Sequence, residues 1–370
     1  MEIKVKREQL LHGLYRVQGV VERRSPQPIL AHVLIEQEES GVALTATDLE
    51  IGLRGHVEAS VKKGGTITVN ARKLYEIVRE ISADEVSLKA SNGGWVEVLA
   101  GRSKFKVVSL DPKEFPELPF ATVAKGSAIR IAAGTLREMI DRTIFSVSTD
   151  ETRLTLSGVY VETTDKGALR MVATDGHRLA VIDRSIAHAK LTKGVILPRK
   201  GLAELRKLLE DPELAEVAMS VGDRNARFQA GGVSLFMRLV EGEFPDYKQV
   251  VPKESRMHVS LGRDDLLAAL RRTALLASER SHGVKLALQS GSLSLSASNP
   301  EQGEASEDLE VSYQGQAVTV GFNARYLIDV LAVHAVGDTI ELGLTDEVGP
   351  GVVRGSQDPS YTYVLMPMRL

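Results

Sequence analysis

The chain has 370 residues, no cysteine, 46 Lys and Arg against 49 Asp and Glu, and 43% hydrophobic residues. That length points to two or three domains with cores of their own, and the lack of cysteine excludes disulfides, thiolate metal sites, iron–sulfur clusters and a cysteine nucleophile. A formal charge of −3 does not advertise a nucleic-acid binder, so any basic surface must be local.

Taken in chain order, Met1-Glu2-Ile3-Lys4-Val5-Lys6 alternates charged and apolar residues and predicts a first strand, not a signal peptide. No apolar run approaches the ~18–20 residues that span a bilayer, so no membrane association and a cytoplasmic location are expected. Apolar residues at Leu10, Leu14, Val17 and Val21 predict a helix with one buried face over 7–21. A strand-like run follows at 31–36, then a polar turn Ala46-Thr47-Asp48. Asn70-Ala71-Arg72-Lys73-Leu74 opens a second helix on a good N-cap residue, and Glu114-Phe115-Pro116 closes the stretch.

The same series then recurs. A helix spaced on Leu136, Met139, Ile140, Ile144 and Val147 precedes a strand at 157–162, the turn Ala173-Thr174-Asp175, a helix opened by Pro198 and the close Glu243-Phe244-Pro245. It recurs again as Asp264-Asp265-Leu266-Leu267, a strand at 283–288, the turn Ala297-Ser298-Asn299, the helix start Asn323-Ala324-Arg325 and the close Val364-Leu365-Met366-Pro367. The three turns sit 127 and 124 residues apart, a period that repeats whole domains. The expectation is an α+β protein of three similar domains, near 1–123, 124–255 and 256–370, each with two helices on antiparallel sheet.

The eight histidines are scattered, and Gly-x-Gly-x-x-Gly, P-loop and nucleophile-elbow patterns are absent. No catalytic site, metal or cofactor is expected. Asp175 and His177 invite reading as an acid–base pair of an α+β hydrolase. Asp-Gly is also a turn signal, and Asp48 and Asn299 hold equivalent turns without a histidine. A protein-only scaffold is the other alternative.

Five segments in order resemble the bacterial DNA polymerase III beta subunits, the beta sliding clamps. They are Ala173-Thr174-Asp175-Gly176-His177-Arg178-Leu179-Ala180-Val181, Leu197-Pro198-Arg199-Lys200-Gly201, Gly242-Glu243-Phe244-Pro245-Asp246-Tyr247, Asn299-Pro300-Glu301-Gln302 and Met366-Pro367-Met368-Arg369-Leu370. The resemblance implies the DNA clamp fold, with two chains meeting head to tail in a homodimeric ring that encircles double-stranded DNA and confers processivity. Helices would line the hole, with sheets outside. Over six provisional helical stretches (7–21, 70–81, 134–147, 198–210, 263–277, 323–334) there are 15 Lys or Arg and 10 Asp or Glu. That is +5 against −3 overall, which suits a mildly positive lining that does not brake sliding through tight phosphate contacts.

The resemblance also implies site residues. DNA-facing positions would be Arg24, Arg72, Lys73, Arg153, Arg199, Lys200 and Lys248, each otherwise an ordinary surface charge. Leu154 and Thr155, in the strand expected after Arg153, leave no aromatic for stacking there. An apolar groove for short linear peptides would comprise Leu156, Thr174, Gly176, His177, Arg178, Leu179, Pro245, Val250, Val364, Met366, Pro367, Met368, Arg369 and Leu370. Its partners would be the DNA polymerase catalytic subunit, the clamp loader, repair polymerases and mismatch-repair proteins. The dimer interface would use Lys104, Phe105 and Lys106 against Leu275 and Leu276, unless those leucines belong to their own domain's core. Association with the nucleoid during replication is implied as well.

Overall fold

A computed structural model describes residues 1–22, 26–118 and 128–369. Among them, three successive stretches each supply eight strands and two α-helices. The first runs β1 (Glu2–Lys6), α1 (Arg7–Gln18), β2 (His32–Glu38), β3 (Gly41–Thr47), β4 (Ile51–Lys63), β5 (Thr66–Asn70), α2 (Ala71–Glu80), β6 (Glu85–Ser91), β7 (Trp95–Ala100) and β8 (Ser103–Val108). The second runs β9 (Ile129–Ala132), α3 (Ala133–Asp141), β10 (Gly158–Thr163), β11 (Ala168–Thr174), β12 (Arg178–Ser185), β13 (Val195–Pro198), α4 (Arg199–Leu208), β14 (Glu216–Val221), β15 (Asn225–Ala230) and β16 (Val233–Arg238). The third runs β17 (Met257–Gly262), α5 (Arg263–Thr273), β18 (Gly283–Gln289), β19 (Ser292–Asn299), β20 (Gly303–Glu310), β21 (Val318–Asn323), α6 (Ala324–Ala332), β22 (Thr339–Leu344), β23 (Gly351–Gly355) and β24 (Asp358–Leu365).

Local sequence explains the elements. In α1, Leu10, Leu14 and Val17 are buried at helical spacing. The helix ends at Gln18, sooner than its periodicity predicted, so Val20 and not Val21 turns into the core. Gly13 allows this helix to lie close on the sheet, because a Cβ there would meet Leu44 and Val57 side chains at 2.8 Å. Asn70 caps α2 by accepting from the Lys73 N–H at 3.0 Å, and Asn323 caps α6 through the Arg325 N–H at 2.9 Å. Pro198 ends β13 instead of opening the helix; α4 begins one residue later.

The described residues form two compact units. One comprises Met1–Leu136 with Lys200–Leu239, built on a twelve-stranded sheet in which β8-β7-β6-β1-β4-β16-β15-β14-β9 follow in order, with β2 joining β3 to β5. The other comprises Arg137–Arg199 with Val240–Leu370. It holds an eight-stranded sheet, β13-β10-β11-β12-β24-β23-β22-β17, and a four-stranded sheet, β20-β19-β18-β21. Every strand pairing is antiparallel.

One rule recurs: the fourth strand of a repeat pairs with the eighth strand of the next. β4 takes β16, with Leu53 opposite Leu235, and β12 takes β24, with Ala180 opposite Tyr363. β20, the third fourth strand, ends its sheet, and β8, the first eighth strand, ends the twelve-stranded path.

A network of charges fastens the β12–β24 seam. Arg184 on β12 bonds Glu138 of α3 at 2.6 and 2.9 Å and Asp358 of β24 at 2.7 Å. Arg142, just past α3, also pairs with Asp358 and lies 5.0 Å over the Tyr361 ring. Burial opposes ionisation of Asp358. Hydrogen bonds from Ser360 and Arg184, with the charges of Arg184 and Arg142, outweigh it and bring the carboxyl down to about 2. A carboxyl depressed on folding stabilises above its unfolded pKa of roughly 3.9, and that contribution is lost as pH falls through its folded value. Asp358→Asn is expected to cost about 2 kcal/mol at pH 7 and to flatten the acid limb between about pH 4 and 2, measured by urea melts across pH.

Candidate functional site

The turn between β11 and β12 is fixed by its own polar side chains. The Thr174 hydroxyl donates to the Arg178 carbonyl at 2.6 Å and accepts from the Gly176 N–H at 3.1 Å. One oxygen of Asp175 accepts the N–H groups of His177 and Arg178 at 2.9 and 3.0 Å. Gly176 has φ +91°, a conformation open to glycine. Asp48 takes the N–H groups of Glu50 and Ile51 in the same way, and Asn299 takes that of Glu301. Asp175 is thus a turn former held by Arg178, while His177 is exposed. An acid–base partnership between them finds no support in this geometry.

Arg178 is the most heavily engaged residue of the turn. Its side chain is 10% exposed and bonds Asp175 at 2.9 Å, Asp329 of α6 at 2.6 Å and the Phe145 carbonyl at 2.5 Å. Its guanidinium also lies 4.3 Å over the Tyr326 ring. The group points inward, so it shapes the surface by holding the turn.

Beside the turn lies an apolar floor. Val172, Leu179, Val181, Tyr247 and Val364 form one buried cluster, with Tyr160, Phe244 and Val251 packed at its margin. Tyr160 and Phe244 stack at 5.0 Å. Val250 and Met366 are exposed, as is Pro245, while Leu156 is buried nearly completely. The last segment is tied down: the Met366 N–H donates to the His177 carbonyl at 2.8 Å and the Met368 N–H to the Gly321 carbonyl at 2.7 Å. Pro367 and Met368 are half-buried and Arg369 is exposed; Leu370 lies outside the described residues.

Of the anticipated groove, the structure therefore brings the turn, Leu179, Val364 and the Met366 segment together. The sequence reading missed Tyr160, Val172, Phe244 and Tyr247. Two of them, Phe244 and Tyr247, stand in the resembling segment Gly242–Tyr247, and these aromatics are the signal the sequence offers. A polar girdle orients them. The Tyr247 hydroxyl donates to Glu162 and accepts from Arg170 at 3.0 Å, and Arg170 makes two bonds to Asp183 at 2.6 and 2.7 Å. Burial first, and the Glu162 hydrogen bond second, push the Tyr247 phenol upward, so it stays neutral and donating.

The anticipated DNA-facing cations are placed unevenly. Arg72 and Lys73 open α2, and Lys73 reaches Glu76 at 2.5 Å. Arg199 opens α4, but its N–H is taken by the Ser157 carbonyl at 3.3 Å. Lys200 is paired with Asp48, whose side chain is 2% exposed. Arg153 is exposed and bonds the Asp175 carbonyl at 3.3 Å; Lys248 sits 6.0 Å over the Tyr247 ring. Residues 154–156 form a 3-10 turn in place of the expected strand, with Leu154 64% exposed. Arg24 lies outside the described residues.

Among the proposed contact residues, Phe105 on β8 is 37% exposed, and Lys104 and Lys106 flank it. Leu275 is 77% exposed, so it is not a core residue of its own repeat. Leu276 is half-buried in the same 3-10 turn, next to Gly303 of β20.

Comparison with known proteins gives a consistent picture. Family models described as DNA polymerase III beta subunit match along the chain: the N-terminal domain at residues 1–119, the central domain at 130–246 and the C-terminal domain at 248–369. The beta sliding clamp of Caulobacter vibrioides is 38% identical over 378 residues, and that of Pseudomonas putida 38% over 376, with all of both chains covered each time. Among solved structures, a sliding clamp (DNA polymerase III subunit beta) from Bartonella birtlesii bound to griselimycin superposes with TM-score 0.95 at 35% identity. One from Pseudomonas aeruginosa, also bound to griselimycin, gives 0.93 at 37%; both alignments cover all of each chain.

Truncating Arg178 leaves Asp329 and Asp175 without their shared cation. Arg178→Ala is expected to cost roughly 3–5 kcal/mol in urea unfolding and to speed amide exchange at Met366, which hangs on the His177 carbonyl. Unchanged exchange at Met366 would show that the turn keeps its shape unaided.

Proposed function

The chain belongs to the DNA polymerase III beta subunit family, and on that premise we propose how its surfaces divide the work of a sliding clamp. It is a non-catalytic processivity factor of DNA polymerase III that tethers the polymerase to DNA. Three domains, near 1–123, 124–255 and 256–370, serve as its building blocks, and two chains close a head-to-tail ring around duplex DNA. Contact with DNA is independent of sequence, through a moderate positive lining in which Arg24, Arg72, Lys73, Arg153, Arg199, Lys200 and Lys248 take part. Because Asp48 already engages Lys200, that residue contributes less than the others.

The observation that carries the ring is the strand rule. It is satisfied at β4–β16 and β12–β24, and it leaves β20 and β8 as edges. β8 carries Lys104 and Lys106; β20 carries Glu304, Glu307, Asp308 and Glu310. Unpaired edges of opposite charge favour each other in a second copy of the chain. Pairing them brings Phe105 beside Leu275 and Leu276.

The floor around Leu179, Val364 and Tyr247, with the turn and the Met366 segment as walls, is proposed as the docking groove for short peptides. Its occupants would be the polymerase catalytic subunit, the clamp loader, repair polymerases and mismatch-repair proteins. The adaptable thioether side chains of Met366 and Met368 suit a surface that accepts several partners in turn. Among the described residues no helix is long and apolar enough to cross a membrane. A place in the cytoplasm, on the nucleoid during replication, follows from the proposed work.

On nicked circular DNA the loaded protein should be retained through gel filtration and lost once the circle is linearised. Loss from both forms would favour a scaffold that never encircles DNA, and retention on both an ordinary binder. Deleting residues 366–370 should weaken binding of a glutamine-leucine-rich polymerase peptide at least tenfold by fluorescence anisotropy, with circle retention unchanged. Replacing Leu275 and Leu276 together by alanine should shift light-scattering mass from dimer to monomer; an unchanged mass would remove them from the interface.

A further inference from the structure

Among the described residues, the exposed large apolar side chains stand on loops, strands and 3-10 turns, with a single exception. Tyr15, 54% exposed, is the only one of them on an α-helix. Its neighbour Leu14 is fully buried against the sheet, so Tyr15 projects from the side of α1 that the sheet leaves uncovered. Arg7, which opens α1, donates to the Val78 and Arg79 carbonyls near the end of α2 at 3.0 and 2.6 Å. The two helices therefore lie side by side and run in opposite directions. Across that pair Tyr15 meets the half-buried Tyr75 of α2, with ring centres 6.3 Å apart, and the Arg79 guanidinium lies 5.9 Å from the Tyr75 ring.

The charges around this two-ring ledge favour an anion. Arg72 and Arg79, both exposed, stand one helical turn before and after Tyr75. The acids of the same helix are already engaged, Glu76 by Lys73 at 2.5 Å and Glu80 by Arg79 at 3.1 Å. A tyrosine offers a duplex what a lysine does not. Its ring covers the apolar side of a deoxyribose, and its hydroxyl donates to a phosphate oxygen. Neither contact neutralises a phosphate, so neither releases a counterion, and the bond carries little of the salt dependence that each cation adds.

We propose that Tyr15, propped by Tyr75, rests on the sugar–phosphate backbone of the encircled duplex as an uncharged contact between Arg72 and Arg79. It positions the double helix in the opening without adding to the electrostatic brake. This deepens the reading of the chain as a ring around DNA and rests on it.

Full-length protein with the photocrosslinker p-benzoylphenylalanine in place of Tyr15 would be loaded on nicked circular DNA, freed of loader by gel filtration and irradiated. The control carries the same group in place of Lys89, exposed on β6 opposite Glu2, while the adjoining pair Leu88 and Ile3 is buried on the helix side of the sheet. DNA adducts are expected from position 15 and not from position 89. In parallel, the loaded protein would be tracked on stretched DNA by single-molecule fluorescence. Tyr15→Ala is expected to raise the diffusion coefficient roughly twofold at low and high salt alike, whereas the gain from Arg72→Ala should fade as salt rises. No adduct at 15, equal adducts at both positions, no change in diffusion on Tyr15→Ala, or a gain that fades with salt would overturn the proposal while retention on the circles upholds the ring. An unsubstituted chain that is not retained on nicked circles would overturn both.

Discussion

A strand edge is a row of unsatisfied N–H and C=O groups, and the management of edges governs this protein. Each repeat presents its fourth and eighth strands as edges. Two of the resulting seams close within the chain, β4 on β16 and β12 on β24. Pairing satisfies the backbone, and the side chains then add what the backbone lacks. At β12–β24 the Glu138–Arg184–Asp358–Arg142 network fastens the seam from above. Helices α1 and α2 in one unit, and α5 and α6 in the other, pack their buried leucines and valines over the sheets and need no edge of their own.

The proposed docking groove is a by-product of the same seam. Joining β12 to β24 sets Leu179 opposite Val364 and delivers the chain's last segment to the turn at His177. Residues nearly two hundred positions apart in sequence thereby share one apolar floor. The segment Glu243–Tyr247 completes the floor and its margin, with Tyr160, Phe244 and Tyr247 in mutual ring contact. Arg178 sits beneath, and the surface residues above it inherit their positions from its three hydrogen-bonded partners.

Much of this could be read in advance because repetition supplies its own control. Asp48, Asp175 and Asn299 at near-constant spacing mark a turn, and the hydrogen bonds bear the turn out. Asn70 and Asn323 announced helix starts through a local rule of capping. What escaped was set by tertiary context. Pro198 looks like a helix start, but its strand pairs with Gly158 and keeps it. The inward turn of Arg178 and the capture of Lys200 by Asp48 depend on partners more than a hundred residues away. The role of the aromatics was hidden for the same reason, since only the fold brings Phe244 and Tyr247 against Tyr160.

The pairing of fourth with eighth strands also means that repeats and compact units do not coincide. The middle repeat is shared out: β9 and β14–β16 belong to the twelve-stranded sheet, while β10–β13 complete the eight-stranded one. A gene cut between repeats would release a middle fragment with raw edges on both of its half-sheets, a substrate for aggregation and not a miniature of the whole. Swapping segments between relatives should respect the sheets, with crossovers placed near Leu136, Arg199 and Leu239, where the chain passes from one unit to the other.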